Sequence, residues 1–382
     1  DGGAGNDTLT YSALTTVVSV TLSALSGTDG FAGTASKLLS FTHINLINGG
    51  TNSDTFTGAD LVSTWQLDST DPDLYSSGAN SLTFGGFETL VGGSMADSFQ
   101  LSGTPTYELN AGAGDDQFLF ANGAQLTGNI DGGANSDTLD YSSYLTSVSI
   151  ILSALSGADG FAGSGTGLTG TFTHINIVNG GNANDTLTGA NLVSTWQLDS
   201  TNPDSYSSGA NSLTFSAFET LTGGSAVDTF QISGTPTFDL QGGADDDLFI
   251  FANNTVLTGS INGQTGSDTL DFSNYLTRRL IHLTSASVDG FSGTEVALSV
   301  GFSNIDNLIA TSAIGVGGDH LYGLNLPSDW TINAITSQYT ASTFTLNFTA
   351  FELIYGGNDD DIFSVSGTIA DERWLFGGVG HD

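Results

Sequence analysis

The octapeptide Gly2-Gly3-Ala4-Gly5-Asn6-Asp7-Thr8-Leu9 has the pattern Gly-Gly-x-Gly-x-Asp-x-U, in which U is a large apolar residue. Glycines reach backbone angles that other residues avoid, and an aspartate caps a tight turn. The pattern therefore predicts a turn that leads into a β-strand whose residue U points into a core. Degraded copies occur along the whole chain, at 49–56, 92–99, 111–118, 132–139, 180–187, 223–230, 242–249, 263–270 and 356–363, with a shortened copy at 377–382.

The spacing of these copies indicates a nested repeat. The copies begin at residues 2, 49, 92, 111 and 132, so that two long gaps are each about twice the short ones. This spacing predicts coils of about 22 residues, with two coils in every long period lacking the glycine turn. A longer period is marked by Trp65, Trp196 and Trp330. It divides the chain into three repeat blocks of about six coils each, at 1–130, 131–261 and 262–382.

A fixed short period is typical of a solenoid, because one coil cannot bury its apolar face alone and stacks on its neighbours. The segments between the turns are rich in Val, Ile, Leu, Phe and Thr, which favours strands. We therefore predict an all-β protein, a parallel β-solenoid (β-helix or β-roll) of about 17 coils forming one continuous rod. Residues 68–78 and 199–209 are expected to leave the coils as loops. Tandem β-sandwich domains are the alternative, since 131 residues is a plausible sandwich length.

Charge limits the possible partners. The 382 residues include 40 acidic and four basic ones, which gives a net charge of −36. Electrostatic repulsion excludes nucleic acid and anionic membranes as partners, and cations from solution must neutralise the excess. The sequence contains no apolar run long enough to insert into a bilayer. We expect an extracellular or cell-surface location, because acidic repeats that bind calcium need the millimolar calcium found outside cells.

The octapeptide and its copies resemble the nonapeptides of hemolysin-type (RTX-like) calcium-binding proteins, and 84–93 and 215–224 resemble segments of very large bacterial surface proteins. The resemblance implies a parallel β-roll or β-helix that binds Ca²⁺ in its turns. In this chain the copies stand singly rather than in unbroken tandem, and the turn near Gly317-Gly318-Asp319 departs from the pattern.

Aspartates one coil apart are the candidate metal ligands, because stacked carboxylates repel one another and a divalent cation held by 6–8 oxygens relieves the repulsion. The resemblance implies that the motif aspartates supply the carboxylates. The grouped candidates are Asp97, Asp116, Asp137, Asp228, Asp247, Asp268, Asp361 and Asp382, and the isolated ones are Asp7, Asp54 and Asp185. The alternative for each is an aspartate that bonds its own turn and faces solvent.

The function predicted from these features is structural. We expect a non-catalytic segment of a surface filament, matrix or S-layer-like fibre, whose partners are copies of itself or further repeats of the same chain. The stalk of a bacterial adhesin is the alternative, and glycans are a further candidate partner. A glycan-active β-helix enzyme is disfavoured, because its candidate acids Glu88, Glu219 and Glu352 recur once per block whereas an active site is normally singular.

Overall fold

A computed structural model of the protein describes residues 1–70, 72–200, 203–311, 317–367 and 373–381. These residues form forty β-strands and no helix, and so no helix that could span a membrane. The first twenty strands are β1 (Thr8–Thr10), β2 (Ser19–Leu25), β3 (Phe31–Ala35), β4 (Leu38–Ile44), β5 (Leu46–Asn48), β6 (Thr55–Thr57), β7 (Ser63–Leu67), β8 (Asp73–Ser77), β9 (Asn80–Gly85), β10 (Thr89–Gly93), β11 (Asp97–Leu101), β12 (Glu108–Gly112), β13 (Gln117–Phe120), β14 (Ile130–Asp131), β15 (Thr138–Asp140), β16 (Ser149–Leu155), β17 (Phe161–Gly165), β18 (Phe172–Ile175), β19 (Ile177–Asn179) and β20 (Thr186–Thr188). The second twenty are β21 (Ser194–Asp199), β22 (Asp204–Ser208), β23 (Asn211–Ser216), β24 (Thr220–Thr222), β25 (Asp228–Ser233), β26 (Asp239–Ala244), β27 (Leu248–Phe251), β28 (Ser260–Thr265), β29 (Thr269–Asp271), β30 (Leu280–Ser287), β31 (Gly290–Thr294), β32 (Gly301–Ile305), β33 (Asn307–Ile309), β34 (His320–Tyr322), β35 (Ser328–Ile332), β36 (Ser337–Ala341), β37 (Phe344–Thr349), β38 (Leu353–Gly357), β39 (Asp361–Val365) and β40 (Trp374–Gly378).

The strands belong to two series of twenty, A and B, and the chain alternates between them. From β11 to β15 each coil contributes one A strand and one B strand, and strands of the same series pair in parallel from coil to coil. Apolar residues at the position U meet in register, as Phe99, Phe118 and Leu139 do. The prediction of an all-β parallel solenoid is therefore confirmed.

The chain divides into two compact units, Asp1–Thr186 with Ala210–Phe218, and Leu187–Gly209 with Glu219–Asp382. In the first unit the A strands lie in the order β1-β5-β9-β8-β7-β11-β13-β15-β19-β23 and the B strands in the order β4-β3-β2-β6-β10-β12-β14-β18-β17-β16. In the second unit the A order is β22-β21-β25-β27-β29-β33-β37-β36-β35-β39 and the B order is β24-β26-β28-β32-β31-β30-β34-β38-β40. The division into three blocks remains a prediction from the sequence.

The long gaps between glycine turns contain antiparallel detours. In β7-β8-β9 the chain moves two strands ahead, returns through the antiparallel β8 and then occupies the place beside β5. The strands β2–β4, β16–β18, β30–β32 and β35–β37 do the same. The predicted coils without a glycine turn are therefore wrong, because the additional residues form three-stranded meanders. The predicted loops at 68–78 and 199–209 are wrong as well, since they contain β8 and β22.

The core of each unit is a stack of like side chains. Trp65 is fully buried, and its ring lies 5.5 Å from that of Phe99 at an interplanar angle of 13°. The Phe99 ring in turn lies 5.2 Å from that of Phe118. Trp196 stacks on Phe230 in the same way in the second unit. The recurring tryptophans are therefore core residues, and their stacking adds aromatic contact energy to the buried area.

Candidate functional site: the buried aspartate ladders

The motif aspartates occupy two different corners of the coil. At the BA corner, which precedes an A strand, lie Asp7, Asp97, Asp116, Asp137, Asp228, Asp247, Asp268 and Asp361. At the AB corner, which precedes a B strand, lie the motif residues Asp54 and Asp185, together with Asp319, which lies outside the motif spacing. The turn chemistry is the same at both corners, which is why the sequence did not distinguish them. Asp382 lies outside the described residues.

A continuous hydrogen-bonded ladder runs along the BA corner of the first unit. The Ser63 hydroxyl donates to Asp97 Oδ1, and the Asp97 N–H donates to Asp116 Oδ1 over 2.6 Å. The Asp116 N–H donates to Asp137 Oδ1 over 3.0 Å, and the Asp137 N–H donates to Asn176 Oδ1 over 3.1 Å. The three aspartates are buried. The Asp116 and Asp137 carboxyl groups therefore accept the backbone N–H of the preceding coil, the Asp97 carboxyl group accepts the Ser63 hydroxyl, and none of the three faces solvent.

The second unit repeats this ladder 131 residues later. The Ser194 hydroxyl donates to Asp228 Oδ1, and the Asp228 N–H donates to Asp247 Oδ1 over 2.8 Å. The Asp247 N–H donates to Asp268 Oδ1 over 2.9 Å, and the Asp268 N–H donates to Asp306 Oδ2 over 3.1 Å. A third ladder begins in the same manner, with Ser328 donating to Asp361.

The glycine pair makes room for the carboxyl group. A Cβ atom on Gly92 would collide both with Asp97 Oδ2 and with the carbonyl oxygen of Ala111 in the next coil. The N–H of Gly93 donates to Asp97 Oδ2 over 2.8 Å, and Gly224 donates to Asp228 Oδ2 over 2.6 Å. The spacing of the motif therefore follows from contact between the turn and its own aspartate.

The inner members of the ladders have an unsatisfied oxygen. Oδ2 of Asp116, Asp137, Asp247 and Asp268 is buried and has no hydrogen-bond partner among the described residues, and Oδ2 of Asp7 is in the same state. A buried carboxylate without full compensation is costly, and the group responds by binding a proton more tightly. Burial raises the pKa of Asp116 and of Asp247 to about 8, with further contributions from neighbouring carboxylates. Burial likewise raises the pKa of Asp137 to about 7 and that of Asp268 to about 6.

The AB corner uses its aspartates differently. Asp54 Oδ1 accepts the Val18 N–H over 2.7 Å, Asp54 Oδ2 accepts the Gly50 N–H, and the Asp54 N–H donates to Glu88 Oε2 over 2.7 Å. Both carboxylate oxygens of Asp54 are thus occupied. Asp185 is held likewise, since it accepts the N–H groups of Val148 and Gly181.

The motif spacing does not predict Asp319 as a site residue. It accepts the Arg279 N–H over 2.6 Å and the Thr311 N–H over 3.0 Å, and it donates its own N–H to Glu352 Oε2 over 2.7 Å. Its N–H donor Thr311 lies eight residues before it, whereas Gly50 lies four residues before Asp54. This difference of four residues moves Asp319 out of the motif spacing. The matching block positions of Glu88 and Glu352 were the available signal.

The fit of the ladders to calcium depends on these spare oxygens. A hard cation prefers oxygen ligands and takes six to eight of them at 2.3–2.6 Å. The five unsatisfied Oδ2 atoms are of the right chemical kind. No group of three or more His, Cys, Asp or Glu side chains is placed to hold a metal in the described ranges. Backbone carbonyls of the glycine turns and water would therefore have to supply most of the ligands.

Comparison with known proteins adds no family to this description. The sequence matches no protein-family model and no curated protein. The structure itself characterises the chain as a repetitive all-β protein with mostly parallel sheets and buried aspartate ladders.

Proposed function

We propose that the chain is a non-catalytic structural protein, a calcium-stiffened β-solenoid segment of an extracellular filament, matrix or S-layer-like fibre. The observation that carries this proposal is that the acidic side chains of the ladders form hydrogen bonds within the protein. The ladder aspartates are buried and accept hydrogen bonds from neighbouring coils or from their own turns. Glu88 and Glu352 accept N–H groups from Asp54 and Asp319. Acids committed to the backbone in this way stabilise the coils and are not placed to transfer protons to a substrate.

We propose Ca²⁺ as the cation that binds the unsatisfied carboxylate oxygens of the ladders, as in the RTX-like proteins that the motif resembles. We limit this part of the proposal to the five residues with a spare carboxylate oxygen, Asp7, Asp116, Asp137, Asp247 and Asp268. Asp54, Asp97 and Asp228 already use both oxygens in hydrogen bonds. The ion would supply positive charge where no lysine or arginine stands in the sequence of these turns.

Association with further coils is part of the same proposal. Val365 of β39 stands in register with Ile332, which is buried, yet 58 % of Val365 is exposed. Leu375 of β40 stands in register with the fully buried Ile354 and is 36 % exposed. Edge strands with exposed apolar residues pair readily with another strand. We propose that copies of this chain, or further repeats of it, cover these two strands.

Electron microscopy of the native material tests the structural role against the adhesin stalk. Regular fibres with end-to-end or lateral order are expected for a filament or matrix component, whereas isolated stalks on cells would favour the adhesin. The stalk is the second candidate because exposed glutamines line a surface groove on the A strands of each compact unit.

A further inference from the structure

Two equivalent grooves cross the outer face of the A strands, one in each compact unit. The first has a volume of about 420 Å³ and the second about 470 Å³, both within the range of ligand sites. In the first unit the row across its floor is Gln66, Gln100, Leu119 and Asp140, which stand in register on β7, β11, β13 and β15. In the second unit the row across the floor is Gln197, Gln231 and Ile250, which stand in register on β21, β25 and β27. Asp271 of β29 is in register with Ile250 but does not line the groove.

The polar groups of the grooves are available to a ligand. Gln66, Gln100, Gln197 and Gln231 are exposed, and none of their side-chain amides takes part in a hydrogen bond with the rest of the described structure. Asp140 Oδ1 accepts the Ser142 N–H over 2.8 Å, which fixes the orientation of that carboxylate at the end of the row. Leu119 and Ile250 each provide a half-buried apolar surface beside the amides, and in the first groove Leu119 lies between the amides and the Asp140 carboxylate.

The charge of the grooves selects the class of ligand. Asp68 lies in the first groove and Asp199 in the second, and neither lining includes a lysine, arginine or histidine among the residues that the structure describes. An anionic polymer would be repelled. A neutral sugar chain presents hydroxyl groups, which donate to carboxylates and both donate to and accept from amides, and it presents C–H surface to leucine and isoleucine.

We propose that each groove binds a neutral polysaccharide, with the glutamine pair as its main hydrogen-bonding group. In the first groove four parallel strands place the row along about 14 Å, which accommodates a short stretch of a sugar chain. The binding goes beyond the structural role, since it requires only the outer face of the coils. In the third block the corresponding positions on β35 and β39 are Thr331 and Ser364, whose side chains are shorter and carry no amide. The grooves are therefore a property of the first two repeats.

Affinity electrophoresis of the full chain through gels containing a soluble β-glucan, a mannan, a dextran or a polyuronate tests this proposal. At least one neutral polysaccharide is expected to retard the protein, and the polyuronate is not. The variant Gln66→Ala/Gln100→Ala is expected to weaken the retardation about twofold. Addition of Gln197→Ala/Gln231→Ala is expected to weaken it at least tenfold.

The matched control is Gln117→Ala, which removes an exposed glutamine of β13 that does not line the groove. It is expected to leave the retardation unchanged, and circular dichroism should give the same unfolding midpoint for all variants. The proposal is overturned if no neutral polysaccharide retards the wild-type protein, if only the polyuronate does, or if the fourfold variant is retarded as strongly as the wild type. None of these results decides whether the native material forms fibres, so the two proposals fail separately.

Discussion

Replacing Asp116 by asparagine should make the stability of the first unit less sensitive to a rise in pH from 4 to 8. The pKa of Asp116 is raised by burial from 3.8 to about 8 in the folded protein. Below pH 4 the carboxyl group is protonated in both the folded and the unfolded protein, so its ionisation does not lower the free energy of unfolding. As the pH rises from 4 towards 8, only the unfolded chain releases the proton, so the folded state loses stability. A difference of about four pKa units corresponds to about 5 kcal/mol.

The amide of Asp116→Asn keeps the oxygen that accepts the Asp97 N–H but cannot ionise. Without calcium at pH 8, the variant is expected to unfold about 10 °C above the wild type, at 2–4 °C per kcal/mol. At pH 4 the variant should be less stable than the wild type by about 1–3 kcal/mol, because the asparagine amide brings buried N–H donors that find no acceptor. Thermal unfolding followed by circular dichroism from pH 4 to pH 8.5, in chelator, measures both effects.

The control is Asp60→Asn, which removes the same formal charge from an exposed residue. Its midpoint should follow the wild-type curve at every pH. The reasoning is refuted if the wild-type midpoint does not fall between pH 4 and pH 8, or if Asp116→Asn falls in parallel with the wild type.

Calcium added at pH 8 should raise the thermal unfolding midpoint of the wild type in a concentration-dependent manner, because an ion that binds only the folded state stabilises it by mass action. The midpoint of the double variant Asp116→Asn/Asp247→Asn should rise less, and an equal rise would remove these residues from the calcium proposal. Gly92→Ala should cost about 2–4 kcal/mol in urea unfolding, because its Cβ collides with Asp97 and Ala111, and a Ser94→Ala variant should not. Arg279→Met should cost about 3–5 kcal/mol, because it leaves the buried Glu295, 3.2 Å away, without its cation. The double variant Arg279→Met/Glu295→Met should recover most of that loss, and a loss as large as in the single variant would contradict the pairing.

The local turn and strand that follow each motif could be predicted from the sequence, because the glycines, the aspartate and the residue U act within eight residues. Which series a strand joins could not be predicted, since Asp54 and Asp97 end the same kind of turn at different corners. The three-stranded meanders could not be predicted from the sequence either. The strand β8 alternates buried and half-exposed residues like any other strand. Its antiparallel direction is evident only from the register that pairs Tyr75 of β8 with Trp65 of β7.

The sequence predicts which aspartates form the candidate site, but it does not predict that their carboxyl groups are buried. Spacing of 19 and 21 residues placed Asp97, Asp116 and Asp137 on successive coils, as the ladder requires. Burial of their carboxyl groups depends on the neighbouring coils. The end of the ladder at Asn176 lies 39 residues beyond Asp137, on the far side of a meander, and no local pattern marks it.

The direction of the ladder bonds has a consequence for engineering the length of this protein. In the first two ladders each aspartate donates its backbone N–H to a side-chain oxygen of the next coil towards the C-terminus, so the two ends of a ladder differ. Residues can therefore be removed or added only in whole coils. Excision of residues 98–116 would join Asp97 directly to Gln117 and leave every later strand in its own series. Excision of half as many residues would send each following A strand to the B side, and the unit would have to be rebuilt from that point on.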